Sequence, residues 1–283
     1  MNPAFARFLP SYAKSRLWAM LILGGLAAFM LSFTISCERR SAKLRWKLEQ
    51  GKTYVYRSEV TGSWRIEGWE KGERSGEFGN LIETEMSVLG IGPDSAFRIR
   101  EAINLIREGQ EFKPTIVTYS MAPNGRLYGM SEVGIGSAPR SIPSRERSEY
   151  RKQYFEQTQP TYPDRELKPD ETWIQETKVV FEDRLLTAES QFNVKGWEKV
   201  GEYICLRIDY HSKSFIPYES KGRRLLERGK VKGSIWFAPQ VGLPVQQRDS
   251  FYTSTARIVP EGEKPPSTYI VQSVRLYQLV EIR

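Results

Sequence analysis

Apolar and polar residues alternate at a spacing of two along most of this chain, and few patterns restrict a fold more. Leu44, Trp46 and Leu48 alternate, then Tyr54, Tyr56, Ser58 and Val60. Comparable runs cover 81–89, 96–106, 115–121, 126–130, 172–181, 187–194, 203–215, 230–237, 245–258 and 269–282. Successive strand side chains point to opposite faces, so period two with aromatic and β-branched residues predicts half-buried strands. Turn formers punctuate the runs, as at Glu70–Gly76, Gly92-Pro93-Asp94 and Pro123-Asn124-Gly125, the last suited to a hairpin that needs positive φ. Connections this short cannot carry a parallel crossover, so neighbours should pair antiparallel. The expected fold is mainly β, with antiparallel meanders forming a curved sheet or half-barrel. One short helix is expected over Ser144–Gln157, with Ser144 as cap and Tyr150, Tyr154 and Phe155 on one side.

That helix lies in a long connector, and the strands on its two sides share a grammar. The expected organisation is a first meander over 44–133, a connector over 134–164 and a second meander over 165–283. Leu48, Gly51, Thr53 and Tyr54 are matched by Leu167, Asp170, Thr172 and Trp173. Val88-Leu89-Gly90 parallels Val194-Lys195-Gly196, and Phe97-Arg98-Ile99 parallels Leu206-Arg207-Ile208. Met121-Ala122-Pro123 followed by Gly125 parallels Phe237-Ala238-Pro239 followed by Gly242. Two origins fit: a tandem duplication, or convergence on strand entries that favour Thr and aromatics and turns that favour Gly, Asp and Pro.

Ahead of the β pattern, Leu17–Ser36 carries no charge and follows Lys14 and Arg16. About 20 apolar residues match the thickness of a bilayer's hydrocarbon core, and a basic leader followed by an apolar stretch and small residues also describes a secretory signal. Residues 1–36 are thus read as signal peptide or membrane anchor and 37–43 as a tether, with the remainder exported and held at the periplasmic or extracellular face. The stretch after the run is itself basic (Arg39, Arg40, Lys43, Arg45, Lys47), which leaves orientation by charge ambiguous. Of the formal net charge of +8, three positive charges belong to residues 1–36.

Cys37 ends the apolar run behind the small residue Ser36. This resembles the lipobox of bacterial lipoproteins, in which such a cysteine is acylated; Thr34 stands where that pattern most often has Leu. Lipid attachment, by palmitate or a related acyl chain, is thereby assigned to Cys37, with an uncleaved anchor as the alternative. Further on, Tyr162-Pro-Asp-Arg-Glu-Leu-Lys-Pro-Asp-Glu-Thr-Trp173, Val194–Cys205 and Gly233-Ser-Ile-Trp-Phe-Ala-Pro-Gln-Val-Gly-Leu-Pro244 look like an uncharacterised family of bacterial secreted lipoproteins. Asp170, Glu171 and Ala238 depart from that family's pattern. The resemblance implies no catalytic residues; its hairpin is also similar, at the level of fold, to the curved-sheet carriers that handle lipids and lipoproteins in the envelope.

Residue types limit the chemistry. With His211 the only histidine and Cys205 the only thiol besides Cys37, a Cys/His zinc site cannot be assembled, and a serine triad would have to use His211. No metal and no cofactor is expected: Gly90-Ile-Gly92 runs into Pro93 with no helix behind it, and Ser11-Tyr-Ala-Lys14 precedes the apolar run. Glu83 and Glu85 share a strand face, open to an acid/base pair or to cross-strand ion pairs with Arg98 and Arg100. Lys221, Arg223, Arg224, Arg228, Lys230 and Lys232 cluster around an expected loop and could meet an anionic surface such as lipid headgroups or acidic wall polymer. The partners expected are the membrane, through the N-terminus, and a hydrophobic ligand; export argues against nucleic acid. Two functions follow, a tethered non-enzymatic binder of a hydrophobic or envelope ligand and a carboxylate-using envelope hydrolase, with a passive structural module as a third.

Overall fold

The structure, a computed structural model, describes residues 41–68, 72–106, 113–132, 152–157, 159–181, 184–220, 223–257 and 267–283. The chain divides into two compact units, Met1–Arg40 and Ser41–Arg283; the second is described below. No helix among the described residues is long and apolar enough to cross a membrane.

The expected antiparallel curved sheet is present, as one eleven-stranded sheet that does not close into a barrel. A two-residue strand β1 (Ala42–Lys43) opens the unit. The first meander comprises β2 (Thr53–Glu67), β3 (Arg74–Ile91), β4 (Phe97–Ile106), β5 (Thr115–Met121) and β6 (Leu127–Glu132). After β7 (Glu166–Leu167), the second comprises β8 (Thr172–Phe181), β9 (Arg184–Val200), β10 (Tyr203–Ser220), β11 (Arg223–Ala238), β12 (Leu243–Arg257) and β13 (Thr268–Ile282). In space the order is β6-β5-β4-β3-β2-β13-β12-β11-β10-β9-β8, so the C-terminal strand lies between the two meanders and joins them.

The two meanders repeat their irregularities as well as their strands. Val88 faces Ile99 and Gly90 faces Arg98, skipping Leu89; Val194 faces Ile208 and Gly196 faces Arg207, skipping Lys195. An extra residue in one strand of an antiparallel pair is a β-bulge, which bends and twists the ladder. Each bulge lies beside the same backbone clasp: the Gly51 and Val88 amides bond the Val88 and Lys52 carbonyls, and the Asp170 and Val194 amides bond those of Val194 and Glu171. Gly51 and Asp170 both adopt positive φ there, 82° and 68°.

Each meander builds its own core on the inner face. Val88, Phe97, Ile99 and Met121 pack in the first, and their counterparts Val194, Leu206, Ile208 and Phe237 in the second. The segment 44–48, expected as a strand, forms no ladder beyond β1 and serves instead as a strap. Leu44 is buried in the second core, Leu48 in the first, and Trp46 packs against both. Backbone bonds hold it across both hairpin turns, Trp46 N–H to the Pro123 carbonyl at 2.7 Å and Lys47 N–H to that of Gly242 at 3.1 Å. β1 pairs antiparallel with β7, where the Lys43 ammonium sits 2.6 Å from the Asp164 carboxylate, which Arg45 also binds.

Of the helix expected over 144–157, residues 152–157 are described and helical; Ser144 and Tyr150 lie outside the described residues.

Candidate functional site

Inward positions on β2, β3, β4, β5 and β13 form the floor of a cavity of about 240 Å³, and Trp46, Tyr154, Phe155 and Gln159 form its roof. Its floor includes Tyr56, Met86, Ile103, Val117, Tyr119 and Tyr277. A second cavity of about 370 Å³ continues along β2, β12 and β13, lined by Val60, Ile82, Phe251 and Val271. The two share Thr84, Ile103, Tyr154, Arg275 and Tyr277, so they form one groove.

The roof is fastened by polar residues on otherwise apolar inward positions. Gln157 is 2% exposed, and its side chain bonds both the Phe215 amide and carbonyl. The hydroxyls of Ser190 and Ser212 donate to the Gln157 carbonyl at 3.0 and 3.2 Å. Gln175 on β8 donates to the carbonyls of Glu156 and Gln159. These bonds give the Gln157 and Gln175 side chains the partners that groups removed from water require.

One polar cluster sits where the two cavities meet. Asp249, fully buried, and Arg275 face each other across β12 and β13, with the Arg275 Nε 2.9 Å from the carboxylate. Tyr210 donates to the same carboxylate from two strands away, and Gln247 adds its amide. Tyr210 can reach because Gly233 stands between them in register; a Cβ there would lie 2.4 Å from Asp249 Oδ1 and 2.7 Å from the Arg248 carbonyl. Burial, then the Asp249 charge, pushes the Tyr210 phenol well above its usual range. On the other flank the Tyr119 hydroxyl donates to Glu101 at 2.6 Å. Tyr56 differs from these. It is 1% exposed, stacks on Tyr277 with centroids 4.6 Å apart, and its hydroxyl has no hydrogen-bond partner. Burial raises its pKa far enough to keep it a neutral phenol.

The residues singled out from sequence fall elsewhere. Cys37 and Lys221 lie outside the described residues. Arg223, Arg224, Arg228, Lys230 and Lys232 are not on a loop: they belong to β11, and the even-numbered four share its outer face. The part outside the expected run 230–237 gives no apolar alternation, because Arg223, Arg224, Glu227 and Arg228 are charged and inward position 229 is glycine. His211 is exposed on the outer face of β10 opposite Lys232. Cys205 is fully buried, and burial raises its thiol to about 11, where it is a poor nucleophile. Glu83 and Glu85 do not pair with Arg98 and Arg100, because β3 puts Asn104 and Ala102 opposite them; Arg57 at 3.5 Å and Arg283 at 3.2 Å take those places. No cluster of three or more metal-ligating side chains occurs among the described residues. The sequence reading missed Tyr56, Glu101, Asp249 and Arg275. The last three carried a signal, a charge in the inward phase of an alternating strand.

No protein-family model and no curated protein matches this chain. Among solved structures it is similar to lipovitellin, in a structure described by its lipid-protein interactions, at 10% identity and a TM-score of 0.42, covering 84% of this chain and 26% of that one. The chain therefore spans about a quarter of that protein's length.

Proposed function

We propose that this protein is a non-catalytic carrier or sensor that binds an apolar molecule in the inner groove while its N-terminus holds it at the extracytoplasmic face of a membrane. The observation that carries the reading is the pair of contiguous cavities, about 240 and 370 Å³, the first roofed by Trp46 and Phe155 and both lined by Tyr154. Ligand sites are typically a few hundred Å³, mostly apolar, with a few placed polar groups. The free Tyr56 hydroxyl is such a group. It favours a ligand with a neutral hydrogen-bonding end, since Asp249 already neutralises Arg275 and Glu101 adds a further acidic side chain to the lining. The tether rests on Leu17–Ser36, its basic leader and the Ser36-Cys37 junction.

Photo-crosslinking tests the groove in the full chain. Benzoylphenylalanine placed at Phe155 or Ile103 should capture an apolar small molecule from cells, seen as a mass adduct on those peptides, while the same probe at outward Ile174 should not. Adducts at neither groove position would end the reading. For the tether, a palmitate analogue should label the wild type and not Cys37→Ala; an unlabelled wild type of unchanged length would assign the anchor instead.

A further inference from the structure

On the outer face, opposite the groove, β9 to β12 gather cations in two dimensions. Arg228, Lys230 and Lys232 alternate along β11. In register, Lys230 lies between Lys213 on β10 and Tyr252 on β12, and Lys232 between His211 and Ser250. One step further, Ser234 lies between Asp209 and Arg248. All five cations are exposed, and none makes an ion pair with a described residue. The acids nearby are few. Glu189 faces Lys213, and Asp209 is already held by Arg207 at 2.8 Å and by Ser234.

Two features separate this face from an ordinary solvated strand. Lys213 and Lys230 stand directly opposite, an arrangement that destabilises a sheet and that the inner core does not require. The cations are also spread out: neighbouring strands are about 4.8 Å apart and alternate residues about 6.7 Å, so the patch extends roughly 14 Å in each direction. No single small anion can touch them all, and a linear polymer would follow one row. A plane of headgroups meets every row at once. An open recess of about 600 Å³ beside Gly233 lies within the patch, lined by Lys195, Lys232 and Arg248 and by Asp209 and Asp249, both of which already hold arginine partners.

We propose that this outer face, centred on Lys213, Arg228, Lys230, Lys232 and Arg248, docks on the anionic headgroup surface of a bilayer. The sheet then lies against the membrane with its groove turned away. The inference stands on residues that the groove does not use, so either reading can fail alone.

The test uses the full chain in vesicles of phosphatidylcholine alone and of phosphatidylcholine mixed with phosphatidylglycerol, with lysine acetylation mapped by peptide mass spectrometry. Whatever holds the N-terminus is common to both vesicles, so the comparison isolates headgroup charge. Each basic residue near an anionic surface contributes enough that Lys213, Lys230 and Lys232 should be acetylated about tenfold more slowly in the mixed vesicles. Lys52 and Lys113 should be unaffected. The protection should vanish in molar salt, where the Debye length falls to about 3 Å. Equal rates in the two vesicles would overturn the proposal, as would equal protection by inorganic phosphate without anionic lipid, which would mark a small-anion site. Protection that extends to Lys52 and Lys113 would also overturn it.

Discussion

At the scale of single residues, the least expected side chain is Tyr56, because its hydroxyl is buried and unpaired while those of Tyr119 and Tyr210 are bonded. An unsatisfied buried hydroxyl costs about 1–3 kcal/mol, whereas removing it without changing the ring leaves packing intact. Tyr56→Phe should therefore raise stability by about 1 kcal/mol, read as a higher urea midpoint at unchanged slope. If the groove holds a ligand through this hydroxyl, the same variant should lose captured ligand while gaining stability. A second residue-scale expectation concerns the strap. Hydrogen bonds from Lys43 and Arg45 hold the Asp164 carboxyl at about 2, below its ordinary 3.8. A depressed acid contributes stability that is complete above its unfolded pKa and is lost as pH falls through the folded one. The excess stability of the wild type over Asp164→Asn should accordingly be constant above about pH 4 and shrink towards zero near pH 2. Denaturation at a series of pH values would show it. Neither residue was legible as special from sequence, since Tyr56 reads as one more inward aromatic and Asp164 as a turn former.

At the scale of elements, much could be read in advance. The runs at 115–121 and 172–181 coincide with β5 and β8, which are rich in Thr, aromatic and β-branched residues. The sequence places only 230–237 of β11 on a strand, because Arg223–Gly229 reads Arg-Arg-Leu-Leu-Glu-Arg-Gly, with no apolar alternation. The strap was misjudged for the opposite reason: Leu44, Trp46 and Leu48 alternate, yet they insert into the two cores instead of pairing. The four sequence matches between the meanders fall at equivalent bulges, clasps and turns. One of these gives a prediction. The turns after β5 and β11 each end on a glycine of positive φ, 91° at Gly125 and 67° at Gly242. A Cβ at Gly242 would also lie 2.5 Å from Lys47 Cβ and 2.6 Å from its amide. Gly242→Ala should cost about 1–3 kcal/mol through backbone strain and displacement of the strap. Gly201→Ala, also at positive φ but with open space around it, should cost less, and thermal unfolding of both variants separates strain from contact.

At the scale of the molecule, the topology makes the C-terminal strand the keystone. β13 pairs with β12 on one side and with β2 on the other, and the Arg283 amide and carbonyl close the seam on Thr53. No local signal in the sequence announces that β13 joins β2, because the pairing spans almost the whole described unit. Contacts of such separation form late, since loop closure must precede the gain from pairing. β13 also supplies Arg275 and Tyr277, so the groove exists only once the seam has closed. Deleting residues 268–283 should leave two meanders with two long, unprotected edges, on β2 and β12. Such edges template association between chains, and the buried Asp249 side chain would lose its ion-pair partner Arg275, a loss that typically costs about 3–5 kcal/mol. The expected outcome is an oligomeric or aggregated product in size-exclusion chromatography, still rich in β structure by circular dichroism. A monomer with native stability would show that the meanders fold and hold their shape independently, and that the joined sheet is not the cooperative unit.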